Sequence, residues 1–284
     1  MNRMAIFGAR GYLGRQLTRY FADADVAVEE FDLPSFDVTD AEAWDKFDPE
    51  RYDSVLYFAG MTGTERGFSE AQSFLSVNEG GLLHLLSRLS RLGPCAPQLV
   101  FPSTRLVYKG SESPLSEESE KEPKTVYAVN KLASEGYLSA YANRFGIPVA
   151  VLRICVPYGS LVASDYSYGT IGFFLKQLDQ DGKISLYGDG SVRRTFTHVA
   201  DICRAVETVL ENNAVGTFNV GGEDMSLAEL AHKMCLKKGG RVELAPWPDI
   251  ALALESGSTV FDGSRLASLG FAPKYSLENF FNAC

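Results

Sequence analysis

The chain has 284 residues, 45% hydrophobic and 22% charged, with a formal net charge of −9. That leaves room for a substantial core and argues against a general binder of nucleic acid or anionic membranes. No apolar run approaches a membrane span, and the first residues read as a strand rather than a signal segment, so a cytoplasmic protein is expected.

In chain order, Met4–Phe7 reads as a strand, Tyr12–Ala22 as a helix, Ala27–Phe31 as a strand, Ala41–Phe47 as a short helix and Ser54–Phe58 as a strand. Asn78–Leu92 carries leucines at helical spacing. Gln98–Pro102 reads as a strand, Tyr127–Arg144 as a helix and Val149–Ile154 as a strand. This alternation predicts βαβ units on a parallel sheet. The biased stretch "SESPLSEESEKEP", residues 111–123, reads as a solvated acidic loop, and "YGSLVASDYSYG", residues 158–169, as a loop. Beyond it, Ile171–Leu178 reads as a helix, Ile184–Leu186 as a short strand, Val199–Leu210 as a helix, Thr217–Val220 as a strand, and a helix starts near Ser226. The last forty-odd residues lack strong periodicity.

The five cysteines, Cys95, Cys155, Cys203, Cys235 and Cys284, are scattered with no CxxC pair, so free thiols are expected. His84, His198 and His232 lack metal-ligand spacing, and no metal site is expected.

Gly8, Gly11 and Gly14 follow the first strand and open the first helix. In that setting glycine lets the chain turn sharply and lets the backbone approach a pyrophosphate at the helix N-terminus. The next strand ends at Asp32, where a carboxylate can bind both ribose hydroxyls of NAD and repel the 2′-phosphate of NADP. Arg10 is a dissenting cation, so NAD is favoured and NADP is not excluded. Tyr127 and Lys131 lie one helical turn apart on one face. An ammonium beside a phenol favours the phenolate, so Lys131 is expected to lower the Tyr127 pKa and fit it for proton transfer. Ser103 and Thr104 end a strand whose carboxyl end faces the nucleotide crevice, where a hydroxyl can bind the reacting oxygen.

With these motifs in hand, the chain resembles the extended short-chain dehydrogenase/reductases, in particular the NAD-dependent epimerase/dehydratase group acting on nucleotide sugars. "GARGYLG" matches GxxGxxG and "YAVNKLASE" matches YxxSKxxxE. "FDVTD", "VLYFAG", "VNEGGLLHLL", "STRLVY", "YGDGSVRRTFTHVAD", "FNVGG" and "LGFAPKYSLEN" follow in the family's order. The resemblance implies a Rossmann-type doubly wound α/β fold with a smaller, mostly C-terminal substrate lobe. Residues 1–156 and about 196–220 would form the dinucleotide-binding domain, and about 157–195 and 221–284 the substrate lobe. It places the cofactor on Gly8, Gly11, Tyr12, Leu13, Gly14, Asp32, Asp37, the Val38 backbone, Ala59, Gly60, Tyr127 and Lys131, and implicates Asn78. Thr104, Tyr127 and Lys131 become the catalytic residues, with Thr104 and Arg194 on a nucleoside-diphosphate sugar and Arg194 clamping its diphosphate. A structural ion pair is the competing role for Arg194. A homodimer is also implied.

Two departures from the family pattern matter. The 4,6-dehydratases carry Thr-Asp-Glu where this chain has Thr104, Arg105 and Leu106, so dehydration of that type lacks its acid and base. Val156 stands where many relatives have an asparagine that reaches the substrate phosphates. The leading expectation is a 4-epimerase; a 4-ketoreductase is second, supported by Val156 and the short chain. A non-catalytic dinucleotide-binding protein is the remote third.

Overall fold

The computed structural model describes residues 3–162 and 168–283. The strands it contains are, in chain order, β1 (Arg3–Phe7), β2 (Ala27–Phe31), β3 (Ser54–Tyr57), β4 (Gln98–Thr104), β5 (Val149–Ile154), β6 (Val156–Tyr158), β7 (Lys183–Tyr187), β8 (Arg193–His198), β9 (Gly216–Asn219), β10 (Glu223–Ser226) and β11 (Arg241–Ala245). Every residue of β3, β4 and β5 is buried. Near-continuous apolar runs of this kind mark strands covered on both faces, as in a parallel sheet flanked by helices.

Six strands form that sheet in the order β2-β1-β3-β4-β5-β9, all neighbours parallel. The chain runs outward from β1 to β2, then returns to build β3 on the other side of β1. This reversal opens a crevice at the carboxyl ends of β1 and β3, where open α/β sheets bind ligands.

Alternate residues feed two cores. Met4, Ile6, Leu56, Val100 and Leu152 pack under helices Tyr12–Asp23 and Val199–Glu211, through Leu17, Phe21, Val206 and Val209. Ala5, Phe7, Val55, Tyr57, Leu99 and Phe101 face Leu82, Leu85, Leu86 and Leu89 of helix Gly81–Leu89, and Leu138 of helix Val126–Phe145. Each such large apolar side chain contributes about 1.5–3 kcal/mol by leaving water. A third core, with Val156, Tyr158, Ile184, Phe196, Met225 and Leu230, joins two smaller sheets, β10-β8-β6 and β11-β7.

Helix Val126–Phe145 has clear end signals. The Thr125 hydroxyl accepts from Ala128 N at 3.1 Å, and Gly146 closes the last turn at φ 74°. The helix predicted from Asn78 instead begins at Gly81, because Ser76–Gly80 forms a π-turn ahead of it. Strands β6, β8, β10 and β11 arise where no strand is predicted.

The acidic stretch 111–123 is not simply solvated. Leu115 and Glu117 are buried. A Glu117 carboxylate oxygen accepts from Asn219 N at 2.8 Å, and its backbone carbonyl accepts from Arg153 Nη1 at 2.8 Å. Residues 163–167, the middle of the predicted loop 158–169, and Cys284 lie outside the described residues. The four described cysteines are free thiols.

Candidate active site

The turn after β1 requires glycine. Gly8 stands at φ 79°, and a Cβ there would lie 2.4 Å from Ala59 N. A Cβ on Gly14 would lie 2.0 Å from Gly8 O, so the first helical turn packs directly on the loop. Gly11 N donates to Gly8 O at 3.1 Å. No side chain caps the helix that follows, so its first N–H groups remain available to an anion.

Asp32 closes over this turn. Its Oδ2 accepts from Arg10 N and its Oδ1 from Leu33 N, each at 2.7 Å. The Arg10 guanidinium donates to Leu33 O at 2.7 Å. Asp37 Oδ1 accepts from Thr39 N and Oγ1, each at 2.8 Å, and the Val38 carbonyl accepts from the Trp44 indole at 2.8 Å. Gly8, Asp32, Asp37, Val38 and Ala59 do not line the neighbouring cleft.

That cleft, about 520 Å³, brings together Gly11, Tyr12, Leu13, Gly14, Gly60, Thr104, Tyr127 and Lys131. Thr62, Gly63 and Thr64 and the segment from Ile154 to Pro157 complete its walls with Arg105 and Leu106. Tyr168 also lines it and stacks on Tyr12 with ring centres 4.1 Å apart. The segment 62–64 carries no motif of its own; its one sequence signal is its position a few residues after β3, just beyond Gly60.

Thr104 and Tyr127 both line the cleft. Thr104 Oγ1 accepts from Leu106 N at 3.3 Å, which leaves its hydroxyl proton free for another acceptor. Lys131 is buried, donates to Pro102 O at 2.7 Å, and sits 4.2 Å over the Phe101 ring and 5.9 Å from the Tyr127 ring centre. Burial pushes the Lys131 pKa down to about 7. Burial, reinforced by Tyr168, pushes the Tyr127 phenol up and outweighs the opposing influence of Thr104. The expectation that Lys131 lowers the Tyr127 pKa is therefore corrected. Desolvation dominates both groups and favours their neutral forms.

The π-turn sets the cleft's geometry from below. Asn78 Oδ1 accepts from Met61 N at 2.7 Å, and its Nδ2 donates to Met61 O at 3.1 Å and to Asn130 Oδ1 at 3.3 Å. Asn130 Nδ2 in turn donates to Glu79 Oε1 at 2.6 Å, and Tyr137 donates to Glu79 Oε2 at 3.0 Å.

Arg194 lies elsewhere. It does not line the cleft, is 3% exposed, and pairs with Glu255 Oε1 at 2.6 Å while donating to the carbonyls of Gly257 and Arg193. Those partners give it the competing role, a structural ion pair. Val156, at the position of the missing asparagine, is a buried wall of the cleft.

Comparison with known proteins agrees with the fold and the motifs. Residues 4–221 match the NAD dependent epimerase/dehydratase family, and the chain belongs to that family. It is 29% identical to mouse dTDP-D-glucose 4,6-dehydratase over 82% of this chain and 66% of that protein. It is 28% identical to dTDP-L-rhamnose 4-epimerase of Burkholderia thailandensis over 88% of this chain and 79% of that one. The chain thus spans about two thirds of the mouse dehydratase's length. In fold it is similar to the UDP-glucose 4-epimerase of Thermus thermophilus, solved in complex with NAD, with a TM-score of 0.84 and 23% identity over 98% of this chain and 96% of that one.

NAD is accordingly the cofactor of this family of enzymes, and NADP is not excluded. The residues present fit it. Gly8 and Gly14 leave no room for a Cβ, the helix beyond the turn is uncapped, and a carboxylate stands beside it. Among the described residues, no helix is long and apolar enough to cross a membrane.

Proposed function

We propose that this chain works at C4 of a nucleoside-diphosphate hexose, as a 4-epimerase. The observation that carries this reading is the convergence of Thr104, Tyr127 and Lys131, the last two one helical turn apart, in the cleft opened by the glycine turn. Thr104 holds the C4 oxygen and Tyr127 moves its proton. Lys131 holds the nicotinamide ribose, the N–H groups between Gly8 and Gly14 hold the pyrophosphate, and Asp32 holds the adenosine ribose. When bound, NAD supplies the hydride acceptor and donor. A phenol kept protonated by burial is the acid needed to return a proton to a C4 ketone. Taking the proton in the first half requires positive charge nearby, which protonated Lys131 supplies.

Dehydration of the sugar is not part of this proposal. Although several relatives are named 4,6-dehydratases, the described residues lining this cleft include no Asp or Glu to serve in an elimination. Val156, an apolar wall in place of an amide, favours a second reading as an NAD(P)H-dependent 4-ketoreductase. We take residues 1–156 with about 196–220 as the dinucleotide-binding domain, and a cytoplasmic homodimer as the working form.

The test is whether the purified protein carries nicotinamide. An epimerase interconverts C4-epimeric nucleotide sugars with none added. Stoichiometric consumption of added NADH or NADPH with a 4-keto sugar nucleotide establishes the second reading instead. A folded protein that binds NAD and turns over neither type of substrate overturns both.

A further inference from the structure

Arg105 directly follows Thr104 on the short turn Arg105–Val107 and lines the same cleft. Its Nη1 is buried and has no hydrogen-bond partner. Among the described residues it forms no ion pair. The nearby Glu255 carboxylate is already held by Arg194 at 2.6 Å and by Gly257 N at 2.9 Å. Among the described residues, the cleft lining therefore contains one guanidinium, Arg105, one amine, Lys131, and no carboxylate, in a chain whose net charge is −9. Burial, with Arg194 nearby, pushes the Arg105 pKa down to about 10, so it stays charged at neutral pH.

A buried guanidinium nitrogen with an idle donor is costly to keep. Its planar fork matches carboxylate and phosphate oxygens, which accept two parallel bonds. No internal partner in the described structure gives it a folding role.

We infer that Arg105 receives an oxyanion of the substrate, either a carboxylate carried by the sugar or an oxygen of its diphosphate. The inference rests on reading the cleft as a nucleotide-sugar site. Because Arg105 adjoins Thr104, it sits beside the sugar carbon that reacts, and it makes charge on the substrate a determinant of specificity.

The test compares wild type, Arg105→Met and Arg105→Lys, all loaded with NAD, against UDP-glucuronate and UDP-glucose by calorimetry. Arg105→Met removes an unpaired buried charge, so it is expected to melt no lower than wild type. Its affinity for UDP-glucuronate is expected to fall about tenfold to hundredfold, with partial recovery in Arg105→Lys. A loss confined to UDP-glucuronate identifies the sugar carboxylate as the anion, and an equal loss for both identifies the diphosphate. Unchanged affinity for both ligands, or a lower melting temperature with unchanged affinity, overturns the inference.

If wild type binds neither nucleotide sugar, the proposed function fails on its own account. Arg105 is then read from the thermal stabilisation given by inorganic pyrophosphate and by D-glucuronate. Stabilisation that disappears in Arg105→Met upholds the inference; none in wild type, or an equal effect in both proteins, overturns it.

Discussion

Lys131 holds the Pro102 carbonyl at 2.7 Å from inside the helix that also carries Tyr127. That bond anchors the ammonium to the end of β4, within the cleft and away from bulk water. The consequence is a lysine with a pKa near 7 beside a phenol that resists ionisation.

This arrangement fixes a pH dependence of stability in the cofactor-free protein. Between pH 7 and 10.5 the unfolded chain holds a lysine proton that the folded chain has released. Lys131 therefore contributes a stability that rises with pH across that window, by at most about 1.4 kcal/mol per unit, while the buried Cys155 and Cys203 thiols, which keep protons that the unfolded chain loses at alkaline pH, act in the opposite direction. Above pH 10 the sign reverses for Tyr127, because the folded phenol keeps the proton that the unfolded one loses. Urea unfolding of wild type and Lys131→Met at a series of pH values isolates the lysine, because the thiols are common to both: the stability difference between the two should grow in favour of wild type from pH 7 to 10. A difference that stays constant across that range would contradict the assignment.

Tyr127→Phe removes one oxygen and leaves the ring to pack as before. Turnover is expected to fall by roughly two to four orders of magnitude, the usual contribution of a positioned acid or base, with folding and NAD affinity retained. Thr104→Val should also slow the reaction, and the two losses should not add, because both groups act on one atom. Full activity in a folded, NAD-loaded Tyr127→Phe protein refutes the proton-transfer role.

Arg194 is expected to matter to the fold more than to the ligand. Arg194→Met strands Glu255 and should cost about 3–5 kcal/mol, while the double variant Arg194→Met/Glu255→Met should recover much of that loss. Chemical denaturation of both proteins measures the coupling. A stable Arg194→Met protein with a selective loss of nucleotide-sugar affinity would restore the diphosphate clamp.

Asp32 is held in place before any ribose arrives, by the backbone N–H groups of Arg10 and Leu33. NAD(H) should therefore bind more tightly than NADP(H). Asp32→Asn keeps an acceptor for the turn but removes the charge, and should narrow the gap about tenfold to hundredfold, the range of a charged hydrogen bond. Fluorescence titration with NADH and NADPH measures both, and equal affinities in wild type would refute the role.

The sequence makes the parallel sheet legible because its central strands are buried on both faces, so runs such as Val149–Leu152 are apolar throughout. The small sheets are hidden for the opposite reason. β8 begins with Arg193 and Arg194, whose charges mask a strand until their partners are seen, and β6 is three residues long with a proline at its centre. The residues of the cleft are legible through spacing: three glycines after a strand, and a tyrosine and lysine one turn apart. Their protonation is not, because it depends on desolvation that no spacing encodes. Arg105 shows the same limit, since its lack of a partner is a property of the folded cleft. Glu117 shows it in reverse: a charge run reads as solvated, yet one of its members is buried against β9.

The π-turn at Ser76–Gly80 has a consequence for exchanging segments between relatives. It presents Asn78 to the Met61 backbone and Glu79 to Asn130 and Tyr137, so the loop beside the cofactor turn and the proton-transfer helix share one polar seam. A chimera that imports residues 61–81 without the matching face of helix Val126–Phe145 would inherit a carboxylate severed from its donors. The transplantable module in this fold is therefore discontinuous in sequence, and its borders follow the hydrogen bonds of Glu79 rather than the ends of any strand.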